Sequence, residues 1–516
     1  MKKKLGAIAL VSAALLGIGG CNDNQFLTEV PFDFVGPANF YQTLNDALAA
    51  VSGVYASFVN TSGGNYYGGF FPMLVEFPTE MQTVYLSAGN ERSQVDNYTF
   101  TPSHNYIYQA WIYAYAAINR GNGVIDRVPA IQMDTTLRAR LVGEAKFLRA
   151  VHYFNLVRLF GGVPLETKET TSLDSLQKPR ATAAEVYDFI IKDLTDAIKV
   201  LPKASSYSGA DVGRAARGAA KSLLAKVYLQ RAATGVGQAA DYTLALSLLK
   251  DVDANEGYAL VANFQDLFDM KHEVNSEVIF DIQATRAPGL GNHISNQLAP
   301  RKSNYGTSQN GSFTAEWDFY KSFTAADKRR EPTLQFSFVD KSNNVVNWDD
   351  TQTASKSYGA DTPYIHKFLD SLSTGDDEPN YIILRYADNL LEESEAINEI
   401  SGPGADAYTG INAVRARAGI GNLVAGLSKS AFKDSVFAER RRELAMEGPH
   451  GYFDSQRNWA WAKARVDASM AAGKASGFKT SRYPKLQTEI TDKFKLMPIP
   501  QRALDVNSRL TQNPGW

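Results

Sequence analysis

The sequence of 516 residues contains a single cysteine, Cys21, and only six histidines. One cysteine cannot form a disulfide within the chain, so a disulfide-stabilised fold is excluded. The histidines are scattered and no H-E-x-x-H pattern occurs, so the sequence offers no motif for a metal site. No other motif implies a cofactor.

An excess of charge of one sign is also missing. The chain has 53 basic and 55 acidic residues, a formal net charge of −2 and no long run of either sign. Proteins that bind nucleic acid normally present a basic patch or stripe to the phosphate backbone. Nucleic acid is therefore not an expected partner.

Long apolar runs are confined to the N-terminus. The basic start Met1–Lys4 is followed by the uncharged run Leu5–Gly20. A transmembrane helix needs about 20 apolar residues, and no later stretch provides them without charges. A basic segment followed by a short apolar segment is typical of an export signal, so we expect residues 1–20 to be a signal peptide and the remainder to lie outside the bilayer.

The residues before Cys21 are small, in the order Ile18-Gly19-Gly20. This segment resembles a bacterial lipobox, in which small residues admit signal peptidase II and the cysteine thiol accepts a diacylglycerol. A sole cysteine at the cleavage point is what lipidation predicts, and the alternative is a secreted protein with an incidental cysteine. We therefore expect a lipid anchor on Cys21, with residues 21–31 as a polar tether and residues 32–516 as one body.

Helical periodicity dominates the body. Apolar residues recur at spacings of three and four mainly within residues 36–58, 106–252 and 381–447. Residues 219–229 and 242–249 resemble the two helices of a tetratricopeptide repeat, and similar pairs occur within 144–201 and 381–417. The sequence predicts a mainly α fold, a helical-repeat scaffold of about four helix pairs.

Two stretches break this periodicity. Residues 60–103 are rich in glycine and aromatics, and residues 257–375 are rich in Gly, Asn, Ser and Thr with short apolar runs. We expect a loop-rich half with short strands there. Long loops in a compact domain are often functional, so these stretches are the candidate binding part.

The chain resembles the SusD/RagB family of outer-membrane nutrient-binding lipoproteins. The resemblance extends nearly from end to end and depends on several landmark segments. These segments are Phe26–Pro31, Glu144–Ala150, Tyr153–Leu165, Leu223–Leu229, Glu439–Gly448 and Gln512–Trp516.

The resemblance implies a SusD-like fold and a location on the outer membrane, lipid-anchored and facing the exterior. It also implies a glycan ligand and a SusC-like TonB-dependent transporter as partner, with the lipoprotein covering the transporter as a lid. Relatives of this family can also serve peptides or other nutrients, so a peptide ligand is an open alternative.

Motifs of common enzyme classes are missing. No G-x-S-x-G elbow or P-loop occurs, and Gly289-Leu290-Gly291 lacks the third glycine of a dinucleotide site. A glycosidase needs two carboxylates across a sugar, but the acidic run Asp376–Glu378 is more simply a solvated loop. We predict binding rather than catalysis, with a surface glycosidase as a further alternative.

Sugar binding requires flat apolar faces for the C–H side of the ring and polar groups for its hydroxyls. Both kinds of side chain occur in the two irregular stretches, where each ring could instead plug its loop onto the body. The candidate ligand contacts are Tyr66, Tyr67, Phe70, Glu80, Tyr85 and Asn90 in the first stretch and Arg301, Asn304 and Tyr305 in the second.

Other prominent side chains are assigned to the scaffold. Trp317 and Tyr320 precede a charged segment and are interpreted as structural. Glu439, Arg441 and Glu443 lie on one charged helix, where internal ion pairs or a solvated face would account for them.

Overall fold

A computed structural model describes residues 40–59, 66–84, 90–172, 177–307, 309–335, 337–347, 363–475 and 490–516. The predicted signal peptide, the lipidated Cys21, the tether and Tyr85 lie outside the described residues, as does the side chain of Asn90. Within the described ranges, no helix is both long and apolar enough to cross a membrane.

The structure is mostly helical, as predicted. Most of the long helices lie in the three stretches of predicted periodicity, but the 17-residue helix Trp459–Ala475 lies after them and was not predicted. The α-helices are α1 Leu44–Tyr55, α2 Phe71–Glu76, α3 Asn90–Asp96, α4 Asn105–Arg127, α5 Thr135–Phe160, α6 Ala183–Val200, α7 Arg217–Ala232, α8 Asp241–Asn255, α9 Ile294–Leu298, α10 Trp317–Lys321, α11 Arg330–Thr333, α12 Tyr386–Ser401, α13 Ala405–Arg417, α14 Lys429–Leu444, α15 Gly451–Arg457, α16 Trp459–Ala475 and α17 Gln501–Val506.

Local sequence explains where several helices begin and end. At the start of α1 the Thr43 hydroxyl accepts from the Asp46 amide, and the Asp46 carboxylate accepts from the Thr43 amide. Thr182 and Glu185 form the same reciprocal cap before α6. Helix α5 ends at Phe160, and the next residue, Gly161, has a φ of 71°, a conformation that favours glycine.

The predicted helix pairs are confirmed. Helices α5 and α6, α7 and α8, and α12 and α13 pack against one another, and α6 with α7 and α8 with α12 join successive pairs. Helix α5 is buried on every side from Phe147 to Phe160. Ala219 and Ala220 of α7 are fully buried, because small side chains let neighbouring helices approach closely.

In the described residues, eight short strands form three small antiparallel sheets. A four-stranded sheet has the order β1-β3-β7-β4, while β2 pairs with β8 and β5 with β6. The strands are β1 Gln82–Val84, β2 Val278–Ile282, β3 Phe313–Ala315, β4 Leu334–Gln335, β5 Ser337–Val339, β6 Val345–Asn347, β7 Tyr364–Ile365 and β8 Tyr381–Arg385.

The four-stranded sheet brings distant parts of the chain together. Thr83 lies opposite Thr314, Thr314 opposite Tyr364, and Tyr364 opposite Gln335. Three steps between strands of about 4.8 Å separate the outer members of this row by about 14 Å. The two irregular stretches of the sequence therefore meet on one sheet.

One predicted helix boundary is wrong. We expected a helix from Tyr381, but residues 381–385 form β8, and the helix begins at Tyr386. All five residues of β8 are buried. A strand buried on both faces reads as a continuous apolar run, which periodicity does not distinguish from the first turn of a buried helix.

The stretch 60–103 is more regular than expected. Its described residues include a π-helical turn at Tyr66–Phe70 that leads directly into α2, and then β1 and α3. Pro72 occupies the first turn of α2, where its missing N–H costs no hydrogen bond. Elements this short fall below the length at which periodicity identifies a helix.

A buried ion network lies beneath α14. Arg329 bonds to Glu439 at 2.6 Å and to Glu443 at 2.9 Å, and Arg385 bonds to Glu443 at 2.6 Å. Both glutamates are fully buried. The charged residues of this helix therefore make internal ion pairs rather than a solvated face.

Candidate ligand-binding surface

Three of the predicted ligand contacts lie in the core. Tyr66 and Tyr67 are at most 1% exposed and Phe70 is 6% exposed. The Tyr66 ring packs edge-on against Phe71, and the Tyr67 hydroxyl accepts a hydrogen bond from Asn155. The expectation that this segment displays its rings is wrong, because the π-helical turn directs them against α4 and α5.

Glu80 is also buried rather than displayed. Arg465 donates to its carboxylate at 2.8 Å, and Arg441 forms a second ion pair with the same oxygen. Burial opposes ionisation of Glu80, but the two guanidinium groups outweigh it and lower the pKa of the carboxyl group. Trp461 lies beside both arginines, 4.5 Å from Arg441 and 5.0 Å from Arg465. Glu80 thus anchors α14 and α16 to the segment before β1.

The second predicted group lies at the surface. Arg301 and Asn304 are exposed, and Tyr305 is half-buried. The Tyr305 hydroxyl accepts from the Gln335 amide at 3.1 Å, and burial raises its pKa. The backbone N–H of Asn304 donates to the Val339 carbonyl at 2.8 Å, which fixes this loop on the β5–β6 hairpin. Their exposure is as predicted, and their contact with a ligand stays a prediction, as it does for Tyr85 and Asn90.

Arg92 connects the two predicted regions. Its Nη1 donates to the Ser312 hydroxyl, and its Nε donates to the Tyr106 hydroxyl at 3.4 Å. Ser312 in turn donates to Gln297 at 2.9 Å and is fully buried. A side chain on α3 is thereby fixed to the segment that precedes β3, 220 positions later in the chain.

The segment before β3 also contacts Arg301. Gly311 has a φ of 53°, and a Cβ at this position would lie 2.8 Å from the Arg301 Cγ. The backbone therefore passes directly beside the stem of Arg301, which only glycine permits. Arg92 thus contacts Ser312, and Arg301 contacts the neighbouring Gly311.

Tyr106 belongs to the candidate surface, although the sequence analysis does not single it out. It lies in the first turn of α4 and is half-buried. The buried Phe70 ring stacks behind it with centroids 6.0 Å apart. An aromatic at the junction of a helix and an irregular stretch was the available signal. Phe70, predicted to touch ligand, instead packs against the Tyr106 ring.

These side chains form the candidate surface. It is defined by Arg92, Tyr106, Arg301, Asn304, Tyr305 and Asn310. It combines two aromatic rings with guanidinium and amide donors, and Asn310 is held by a 2.6 Å bond to Asn296. Such a surface suits a ligand with flat apolar faces and many hydroxyls.

Trp317 and Tyr320, interpreted as structural, are both half-buried. Their rings meet edge-on with centroids 5.6 Å apart at the start of α10. The amide of the preceding Glu316 donates to the Met81 carbonyl at 2.8 Å. The pair therefore lies at the far end of β3 from Ser312.

A separate cavity of about 300 Å³ lies beside β2. None of the predicted site residues lines it. Its walls are mainly apolar and include Tyr55, Phe58, Val212, Phe280, Ile282 and Leu290. In the described part of the chain, no cluster of three or more His, Cys, Asp or Glu side chains could hold a metal ion.

Comparison with known proteins agrees with this architecture. The model of the SusD family matches residues 257–516, and a model described as "Starch-binding associating with outer membrane" matches residues 71–229. The chain is 28% identical over 469 residues to SusD-like protein P2 of Formosa agariphila, spanning 85% of this chain and 88% of that one.

Solved structures show the same fold. A SusD homolog from Bacteroides thetaiotaomicron superposes with a TM-score of 0.79 at 24% identity, covering 93% of this chain and 98% of its own. A laminarin-binding SusD-like protein superposes with a TM-score of 0.72 at 25% identity, covering 92% of this chain and 100% of its own. The chain therefore belongs to the SusD family.

Proposed function

We propose that the protein is a non-catalytic binder of oligo- or polysaccharides at the cell surface, and that it passes its ligand to a SusC-like TonB-dependent transporter. The observation that carries the proposal is the candidate surface, where the Tyr106 hydroxyl bonds to Arg92 and where Arg92 and Arg301 both contact the Gly311–Ser312 segment. The laminarin-binding relative supports glycans as the ligand class.

The side chains of the candidate surface are complementary to a sugar ring. A pyranose has apolar C–H faces and a rim of hydroxyls, so it needs rings for its faces and planar donors or acceptors for its rim. Tyr106 and Tyr305 supply rings, and Asn304 and Asn310 supply amides at the exposed surface. Because Phe70 supports Tyr106 from behind, the ring is fixed before a ligand arrives, which lowers the entropic cost of binding.

Substitution of Tyr106 by alanine tests the surface. We expect Tyr106→Ala to weaken glycan binding about tenfold, since stacking by a positioned ring is worth roughly 1–1.5 kcal/mol. The matched control is Tyr108→Ala, because Tyr108 is also half-exposed on α4 but lies against Arg502, 5.0 Å away. Calorimetric titration with the same glycan measures both variants. Equal loss in both, or no loss in either, would contradict the site.

The partner follows from the tether. We propose that the lipid on Cys21 holds the body at the outer face of the outer membrane, which raises its effective concentration near a transporter. A lasting interface generally buries more than about 1,200 Å² in total. Affinity purification from gently solubilised outer membranes should recover a TonB-dependent transporter with the protein. Recovery of the lipoprotein alone, in several mild detergents and with or without glycan, would count against delivery.

A further inference from the structure

Arg92 has no carboxylate partner among the described residues. Among the described residues its hydrogen bonds go only to two neutral hydroxyls, those of Ser312 and Tyr106. Glu91 is adjacent on α3, but no ion pair joins the two side chains. A guanidinium group has five N–H donors, so most of the donors of Arg92 have no protein acceptor in the described structure.

Two other arginines, Arg180 and Arg158, are satisfied differently. Arg180 also lacks a carboxylate, but it donates to four oxygens, the carbonyls of Phe160, Gly162 and Thr511 and the amide oxygen of Asn513. Arg158 is 5% exposed and lies between two phenylalanine rings, each 3.8 Å away. Arg92 has neither arrangement and is half-exposed.

The position of Arg92 is also informative. Its guanidinium group bonds to Ser312, and the neighbouring Gly311 lies against the stem of Arg301. Two arginines thus contact one short segment of the candidate surface.

We propose that this surface selects glycans that carry acidic groups, with Arg92 donating to a carboxylate or a sulfate of the sugar. The proposal rests on the proposed glycan-binding function and names its ligand class. Planar guanidinium donors match carboxylate and sulfate oxygens in pairs, and charge-assisted hydrogen bonds of this kind are about twice as strong as neutral ones. The Ser312 and Tyr106 hydroxyls hold the donor group in place without neutralising it.

The test compares Arg92→Gln with Arg138→Gln. Arg138 is a matched control, because it is half-buried, has no carboxylate partner and donates to the Ile131 carbonyl at 3.1 Å on a distant part of α5. The probes are oligogalacturonate and its carboxyl-reduced form, and a sulfated galactan and its desulfated form. Each is titrated by calorimetry at low and high sodium chloride, and circular dichroism checks the fold.

We expect the wild-type protein to bind at least one acidic probe more tightly than its neutral counterpart, and high salt to weaken that binding. Arg92→Gln should reduce affinity for the acidic probe about tenfold more than it reduces affinity for the neutral probe. Arg138→Gln should change neither. The uronate and sulfate arms distinguish the two sources of negative charge. If Arg92→Gln does not fold, Arg92→Lys keeps the charge and should retain the preference for acid with reduced affinity.

Other results distinguish a failure of acidic selection from a failure of glycan binding itself. Binding of only neutral glycans would overturn the acidic selection and leave glycan binding intact. Equal loss of neutral and acidic probes in a folded Arg92→Gln protein would make Arg92 a general hydroxyl donor and also overturn it. If no glycan in a wide panel binds, the proposed function itself fails.

Discussion

Two tyrosines with similar sequence surroundings lie in opposite environments. Tyr66 is fully buried against Phe71 and Tyr67, whereas Tyr305 is half-buried at the candidate surface. We expect Tyr66→Ala to lower the free energy of unfolding by about 3–5 kcal/mol, the usual cost of deleting a buried ring. Tyr305→Ala should cost about 1–2 kcal/mol, because it removes a half-buried ring and the hydrogen bond to Gln335. Urea unfolding measures both, and equal costs would contradict the assignment of Tyr66 to the core.

The exposure of these two tyrosines could not be predicted from the sequence. Glycine and aromatic residues near Tyr66 and near Tyr305 give the same local signal, so composition identified both regions but not which rings are exposed. Exposure depends on packing partners such as Asn155 and His152, which lie far away in the chain. Arg92 lies within the first region, but its bond to Ser312 joins positions that no local pattern relates.

Glu76 makes stability depend on pH. It is fully buried, and burial raises its pKa from 4.5 to about 8. Between these values the folded protein holds a proton that the unfolded chain has released, so this group reduces stability as pH rises from 4.5 to about 8.

We expect Glu76→Gln to remove this loss. Relative to the wild type, the variant should gain roughly 1–3 kcal/mol of unfolding free energy between pH 5 and pH 8.5. Gln82 donates to the Glu76 carboxyl group at 3.1 Å, and its own amide oxygen has no partner, so a flip of that amide satisfies the new side chain. Urea unfolding at several pH values measures the difference. A pH-independent difference would show that Glu76 is ionised in the folded protein.

At the scale of elements, helix α14 depends on its buried ion pairs. Glu443 contacts the guanidinium groups of Arg329, Arg385 and Arg417. Burial alone would raise the pKa of Glu443, but these three charges outweigh it and hold the pKa well below the usual range. The landmark segment Glu439–Gly448 is therefore a structural signature of the fold.

We expect Glu443→Gln to destabilise the protein by about 3–5 kcal/mol, because it leaves three buried guanidinium groups short of negative charge. The control is Glu331→Gln, since Glu331 is 64% exposed and pairs only with its neighbour Arg330. Its effect should stay below about 1 kcal/mol. Similar melting temperatures for the two variants would contradict this account of α14.

The C-terminal landmark is structural as well. The Asn513 amide donates to the Phe160 carbonyl at 3.1 Å and to the Met497 carbonyl at 2.7 Å, and the Trp516 ring stacks on Phe100. These contacts hold the end of the chain against α5. The landmarks that identified the family thus specify its scaffold, which explains why they predicted the fold and not the ligand contacts.

Helix pairs were predictable because their apolar spacing is local and extends over many turns, as in α7 and α8. Strands were less predictable than helix pairs. Each strand of the four-stranded sheet has only two or three residues, and its partners lie far away in the chain. Strand pairing at such distance leaves no periodic signal, so the meeting of β1 with β3 required the structure.

At the scale of the whole molecule, attachment to the membrane depends on the predicted lipid. In the described residues no helix offers an alternative span. We expect Cys21→Ala to abolish labelling by a radioactive fatty acid and to move the protein from the membrane fraction to the soluble fraction. An unlabelled wild-type protein, or a variant that stays membrane-bound, would contradict the anchor.

The most direct test of the central claim is a titration of residues 22–516, which lack the signal peptide and Cys21, with a panel of plant, host and microbial glycans. The same samples are assayed for new reducing ends. The account predicts saturable binding of at least one glycan, weakened by Tyr106→Ala, with no release of reducing ends. Release of reducing ends, or binding of peptides and of no glycan, would contradict it.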